Sequence, residues 1–474
     1  MLFNTYAFGV FFTIVLVLYN SSLSWNKKKA VLVIASYLFY AAWNPPFVAL
    51  IWISTVVDWF ASKKIFSSRT VFHKRLYLTL TIATNLGLLG FFKYGNFLLE
   101  NFTAMLETVG IAYSPPALDI VLPVGISFFT FQTLSYSLDI YRGQLKPWPK
   151  FLDFALFVTF FPQLVAGPIV RARKFLFQCE TERKSTLAGL GWGCSLIALG
   201  LFQKSVVADG LLAPVVDRIY SGKGIPTFDA AWIGTLAFSG QIFCDFAGYS
   251  TCAIGIAACL GFRLPTNFRF PYAAIGFSDF WQRWHISLSS WLRDYLYIPL
   301  GGNRHGWQRT IASIMTTMLI GGLWHGASWS FVIWGGLHGL YLVIERGLRH
   351  YLGAMFASKN RALMWAMSVL TFLAVTVAWV FFRAQNFDQA FDFIGAMSGL
   401  AAIEGTIVPS RRDLIISLTT MAGICFLHWI FREHSIEDIV GLLPKWVLVA
   451  GLAAMIFSIL TMSGSDRAFI YFQF

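Results

Sequence analysis

The stretch IASIMTTMLIGGLWHGASWSFVIWGGLHGLYLVIE, residues 311–345, holds one formally charged side chain, Glu345, and is bracketed by Arg309 and by Arg346 and Arg349. A straight α-helix of this length would rise roughly 50 Å, well beyond a bilayer core of about 30 Å. Lys and Arg accumulate in loops that stay inside, so both basic flanks belong on the cytoplasmic face. A membrane hairpin of two shorter helices, turning between Gly321-Gly322 and Gly326, meets both constraints. His325 then lies near the turn, deep in the membrane. In a soluble core a histidine is ordinarily a satisfied hydrogen-bonding group. Inside a bilayer a titratable side chain is costly and points to function.

The rest of the chain supports the membrane reading. Charged residues make up 12% of the sequence and apolar residues 57%, against about 25% charged in a soluble domain. Apolar blocks recur from end to end with short charged breaks, so residues 1–474 read as one integral membrane domain. The net charge of +13 does not call for nucleic acid. The basic clusters at Lys27-Lys28-Lys29, 63–75, 142–150, 171–184 and 263–309 are spaced as cytoplasmic loops are. The six cysteines show no CxxC or Cys/His ligand spacing, so neither a metal site nor a disulfide framework is expected. The first apolar block lacks a basic n-region and a small-residue cleavage site, and is expected to be a retained span.

Lengths and charges give a topology. Residues 4–24 cross once, outside to inside. Residues 30–62, broken at Asn44-Pro45-Pro46, form a hairpin of two short helices, since proline ends a helix. Residues 76–99 run outward and 119–141 return. Residues 151–169 are apolar but flanked by positive charge on both sides and broken by prolines. They are expected to be re-entrant, which requires protein or a cavity around them. Segments 187–210 and 231–261 go out and back, and 263–310 is a basic cytoplasmic segment. After the 311–345 hairpin, spans near 362–383, 413–431 and 446–461 bring the count to about ten to twelve. The outer loops, near 100–118 and 384–412, are too short for a separate esterase.

Asp58, Asp139, Asp245, His325, His338 and Glu345 are the ionisable residues expected at membrane depth. His325 stands out because Gly321, Gly322 and Gly326 leave room for a substrate or another backbone. Trp324 and Trp329 would wall such a site. An imidazole suits a general base acting on a hydroxyl or thiol. His338 is expected to be structural. In FWQRWHISLSSWLRDYLYIPLGGNRHG, residues 280–306, a helix would align Trp281, Trp284, Leu288 and Trp291 in one apolar stripe and send Arg283 and His285 elsewhere. Arg283, Arg293 and Arg304 would then bind a polyphosphate donor such as an acyl-coenzyme A at the cytoplasmic mouth. An interfacial helix with snorkelling arginines is the plainer alternative.

Several stretches carry a family resemblance: FFKYGNF (91–97), LPVGISFFTFQTLSYSLDIYRG (122–143), FFPQLVAGPIVRARKF (160–175), QIFCDFAGYS (241–250), NFRFPY (267–272), FWQRWHISLSSWLRDYLYIPLGGNR (280–304), LWHGASW (323–329) and the closing AFIYFQF (468–474). In these the chain resembles the membrane-bound O-acyltransferases, and within them the bacterial membrane subunits that serve alginate O-acetylation. The resemblance implies an all-α ring of tilted and re-entrant helices around a central tunnel, with a funnel on each side. It implies His325 as the catalytic histidine and His285 as the upstream member of the pair. Trp324, Asn267 and Asp245, within the matching stretches, join the three arginines as substrate-binding candidates. It further implies acetyl-coenzyme A as donor cosubstrate, no metal, a multi-pass protein of the bacterial inner membrane, a polysaccharide acceptor and periplasmic or membrane-anchored acetyltransferase partners. The chain departs from the alginate pattern in one place. Gly248-Tyr249-Ser250-Thr251 stands where GYSD is usual, so alginate is not fixed as acceptor, and cellulose and peptidoglycan systems use similar subunits. A transporter would favour inverted repeats and paired broken helices, and no convincing internal repeat is visible. A passive scaffold for a polysaccharide synthase would leave His325 free to vary. The absence of a Rossmann or P-loop fingerprint argues against nucleotide hydrolysis.

Overall fold

The computed structural model describes residues 1–116, 118–351, 353, 360–399, 406–462 and 467–470. Among these the chain is helical; the β-structure is one isolated bridge, Pro226 to Ile407. Among the described residues six helices are long and apolar enough to cross a membrane, and two shorter apolar helices, Tyr6–Tyr19 and Lys445–Thr461, accompany them. The protein is therefore a multi-pass, all-α membrane protein. The chain divides into two compact units, Met1–Ile197 with Cys252–Pro265, and Ala198–Thr251 with Thr266–Phe474.

In the first unit, α1 (Tyr6–Tyr19) is capped by Thr5, and α2 (Trp25–Ala41) and α3 (Val48–Ser67) meet at a 3₁₀ turn over Pro45–Phe47. This is the expected hairpin: neither proline can donate a backbone hydrogen bond, so the helix stops there. The span expected at 76–99 is part of a longer helix, α4 (Val71–Thr108), 38 residues and so about 57 Å long. Leu76, Leu80, Leu86 and Phe91 on it are exposed, as lipid-facing side chains are. The segment expected to return at 119–141 is helical only as α5 (Ile126–Tyr141), because Gly125 before it takes φ +77°.

Residues 151–169 do not form a span. Helix α6 (Phe151–Thr159) ends at Phe160, a four-residue turn follows at Phe161–Leu164, and residues 153–170 are all buried. That is the protein-enclosed setting a broken segment at membrane depth requires. Two polar knots tie this unit. Asp153 pairs with Lys29, and its second oxygen accepts from Trp148 Nε1 at 2.9 Å. Asp58 on α3 accepts from Asn85 on α4 at 2.6 Å and from Ser137 on α5 at 2.5 Å. Hydrogen bonds of this kind join helices where water is absent.

The chain passes between the units within α7 (Leu187–Leu201) and α9 (Phe228–Cys259). In the second unit a π-helical stretch, Phe202–Leu212, leads into α8 (Ala213–Tyr220). The loop expected on the outer side at 384–412 meets the segment after α8 there: Thr227 N–H donates to the Ile407 carbonyl at 3.0 Å, and Gln389 Nε2 to the Tyr220 carbonyl at 2.7 Å. The basic segment holds α10 (Phe277–Arg283) and α11 (Ile286–Leu292), and the decisive hairpin forms α12 (Gly306–His325) and α13 (Trp329–Tyr351). The chain turns at 326–328, just past His325. The unit closes with α14 (Arg361–Arg383), α15 (Phe387–Met397), α16 (Arg411–Phe431) and α17 (Lys445–Thr461). Asn360, Asn386 and Ser410 cap α14, α15 and α16 with their side chains, satisfying N–H groups that would otherwise lack partners.

The hairpin glycines serve backbone approach. A Cβ on Gly322 would fall on the Phe331 carbonyl and the backbone of Gly335, and one on Gly326 would fall on the Phe331 ring. The room expected around His325 is filled by α13 itself, so these glycines let two helices cross closely rather than admit a substrate.

Candidate active site

His325 is the last residue of α12 and is buried. Its ring lies edge-on to three others: Trp324 at 5.0 Å between centroids, Trp334 of α13 at 4.9 Å and Phe382 of α14 at 5.4 Å. Trp324 also meets His285, at 5.9 Å. The two histidines that sequence placed 40 positions apart are thus separated by one indole. Trp324 is buried as expected, whereas Trp329 is 52% exposed at the start of α13 and does not enclose the site.

The structure corrects the helix expected to align Trp281, Trp284, Leu288 and Trp291 in one stripe. The chain breaks at Trp284-His285: α10 stops, His285 takes φ +42°, and α11 starts afresh. A left-handed residue other than glycine persists only where its surroundings over-determine it. Here the strand-like segment 267–269 does so. Ile286 N–H donates to the Asn267 carbonyl and Arg269 N–H to the Arg283 carbonyl, both at 2.9 Å. His285, rather than projecting away from the apolar stripe, is wholly buried between Phe246 (4.6 Å), Phe268 and Trp324. Its Nδ1 lies 3.1 Å from Oδ1 of Asn267. Burial pushes its pKa down to about 3, because a low-dielectric setting disfavours the imidazolium. The ring is neutral near pH 7.

The remaining candidates fall into two groups. Arg293 and Arg304 are exposed; Arg293 pairs with neighbouring Asp294 at 2.9 Å. Arg283 differs from them. It is buried, with Nε 2.8 Å from Asp279 and Nη1 donating to the Arg432 carbonyl at 2.6 Å. Its fork joins α10 to the end of α16, and those hydrogen bonds leave it little to offer a phosphate. Asp245 is likewise engaged within the protein. One oxygen lies 2.5 Å from Lys204 Nζ, and the other accepts from Ile470 N–H at 2.7 Å. Lys204 also donates to Asp209 at 3.0 Å, so two carboxylates share one buried lysine. Phe469 packs against Phe246 and Tyr249; the last four residues of the AFIYFQF ending lie outside the described residues. Thr251, at the position of the departure from GYSD, donates to the Ala247 carbonyl of its own helix at 2.7 Å.

Sequence reasoning missed Trp334 and Phe382 beside His325, the lysine–carboxylate cluster at Lys204, and the neighbours of His338. The His338 ring is buried against Trp334 at 4.7 Å and Trp281 at 5.1 Å. Among the described residues no group of three or more His, Cys, Asp or Glu could hold a metal ion.

The comparisons with known proteins bear on this site. The profile of MBOAT, the membrane-bound O-acyltransferase family, matches residues 145–386, which include both histidines. The chain is 43% identical to the probable alginate O-acetylase of Azotobacter vinelandii, over 78% of this chain and 72% of that one. It is 38% identical to the peptidoglycan O-acetyltransferase of Helicobacter pylori, over 78% and 74%. A teichoic acid D-alanyltransferase of Streptococcus thermophilus is 33% identical over 47% of this chain and 56% of its own length.

Proposed function

The chain belongs to the membrane-bound O-acyltransferase family, and from that premise we propose that it takes acetyl from cytosolic acetyl-coenzyme A and delivers it across the inner membrane for O-acetylation of an extracytoplasmic polysaccharide. It is an acyltransferase of many membrane helices; the donor, the acceptor and the direction of transfer are what is proposed. The observation that carries the reading is the pair His285 and His325 on one indole, Trp324. In the proposed reaction His325 takes the proton of an acceptor hydroxyl. The oxygen forms a bond to the thioester carbonyl carbon, the carbon–sulfur bond breaks, and the thiolate of coenzyme A leaves and takes up a proton. His285, neutral and buried, supports this step from the other edge of Trp324.

Relatives named for alginate and for peptidoglycan cover the same share of this chain, so the acceptor is drawn from that class. The outer loops are short, and final transfer to a polymer is therefore assigned to separate periplasmic or membrane-anchored partners. The test is the O-acetyl ester content of the alginate-like, cellulose and peptidoglycan fractions from cells with and without the chain. Loss of esters from one fraction identifies the acceptor; unchanged esters in all three reject polysaccharide acetylation.

Arg304 and Arg293 are the arginines left for donor capture. A charge-assisted phosphate contact contributes about 1.5–3 kcal/mol, so Arg304→Ala is expected to raise the donor KM roughly ten- to a hundredfold. The turnover number should change little if the contact is equally strong in ground and transition states. Titration of acetyl-coenzyme A against folded protein checks this. An unchanged donor KM would leave Arg304 to the membrane interface.

A further inference from the structure

Asn267 precedes His285 by 18 positions and is buried. Its side-chain oxygen faces three groups: Ser287 N–H at 3.2 Å, the Ser287 hydroxyl at 2.8 Å and Nδ1 of His285 at 3.1 Å. Its Nδ2 donates to the Ser250 hydroxyl at 3.1 Å. A backbone N–H can only donate, so the Asn267 atom that faces Ser287 N–H must be the oxygen and not the amide nitrogen. That oxygen has no proton to give. Nδ1 of His285, facing the same oxygen, must therefore carry the hydrogen, and in a neutral imidazole the lone pair is then on Nε2.

We propose that Asn267 is a positioning residue that locks His285 in the Nδ1–H tautomer and so makes Nε2 the nitrogen able to accept a proton. Its importance for turnover rests on the reading that His285 takes part in acyl transfer; the tautomer does not. The lock is rigid because the Asn267 backbone carbonyl is itself held by Ile286 N–H, on the far side of His285 in sequence. Asn267 is thereby moved from the substrate contacts to the machinery that orients a histidine. The rings packed on His285 are Phe246, Phe268 and Trp324. Across Trp324 lies His325; two positions before His285 is Arg283, whose guanidinium is directed to Asp279, Glu433 and the Arg432 carbonyl; and beside Phe246 on α9 is Asp245, held by Lys204 and the Ile470 N–H.

Asn267→Asp tests the lock without removing it. One carboxylate oxygen still meets Ser287 and Nδ1, and the Ser250 hydroxyl can turn to donate to the other. The new negative charge favours the imidazolium, so the His285 pKa rises. The His285 ring of Asn267→Asp should therefore protonate roughly one to three pH units higher than that of wild type, read from the pH dependence of its ¹⁵N signals. Asn267→Leu removes the acceptor and should lower kcat by on the order of a hundredfold with the donor KM unchanged. The tautomer is read independently from the ¹⁵N signals of the ring in the full-length protein, with His285 identified by the signal lost in His285→Gln. A protonated Nδ1 is expected. A ring protonated at Nε2, or a folded Asn267→Asp protein in which His285 titrates as it does in wild type, overturns the proposal. Full activity in His285→Gln would instead overturn the functional reading of His285, leaving the tautomer to be judged by its ¹⁵N signals alone.

Discussion

His325→Ala lowers kcat by about 10²–10⁴-fold, the usual contribution of a positioned general base, while the protein keeps its helices and its affinity for donor. The expectation follows from where the ring sits. It closes α12 one residue before the turn, edge-on to Trp324, Trp334 and Phe382, so its removal leaves the backbone of the hairpin intact. Alanine would leave a small cavity among these rings. His325→Gln, which retains most of the volume and a hydrogen-bonding group, separates lost packing from lost chemistry. Both variants should fail alike in acetyl transfer. Turnover within a fewfold of wild type in His325→Gln would remove His325 from the reaction.

Lys204→Met is expected to be the most destabilising single change. It leaves the carboxylates of Asp209 and Asp245, 3.0 and 2.5 Å from the lysine nitrogen, buried without their cation. Removing one partner of a buried ion pair costs about 3–5 kcal/mol, because the remaining charge is uncompensated. Adding Asp245→Asn to Lys204→Met should restore part of the loss, since one of the stranded charges is then gone. Thermal melting of the purified proteins reads both. A Lys204→Met protein that melts with wild type would show that the cluster does not hold the second unit together.

What the sequence made legible was whatever depends on local spacing. Asn44-Pro45-Pro46 breaks a helix wherever it occurs, and the two prolines of 151–169 spoil a span in the same way. The turn within 311–345 followed from basic flanks at both ends of a long apolar run, since length alone does not break a helix: α4 runs 38 residues without a turn. His325 stood out because a titratable residue in an apolar run is exceptional. What was not legible depends on contacts between distant segments. Nothing around Arg283 shows that the Arg432 carbonyl, 149 positions later, will take its guanidinium. The same holds for Asp245, whose partners lie at Lys204 and Ile470. The left-handed turn at His285 was hidden for a related reason. The run FWQRWHISLSSW has a helical apolar period on both sides of the break, and only the pairing of 267–269 with 283–286 interrupts it. The hairpin glycines were read correctly as allowing close approach, but sequence could not tell a substrate from the backbone of Gly335.

The most direct measurement follows labelled acetyl from acetyl-coenzyme A in membranes recombined with the periplasmic fraction, from cells lacking the native chain and carrying either wild type or His325→Gln at matched levels. The label should pass into polysaccharide O-esters only with wild type, and donor binding should be equal in the two. Equal ester formation in both membranes would contradict acyl transfer at His325.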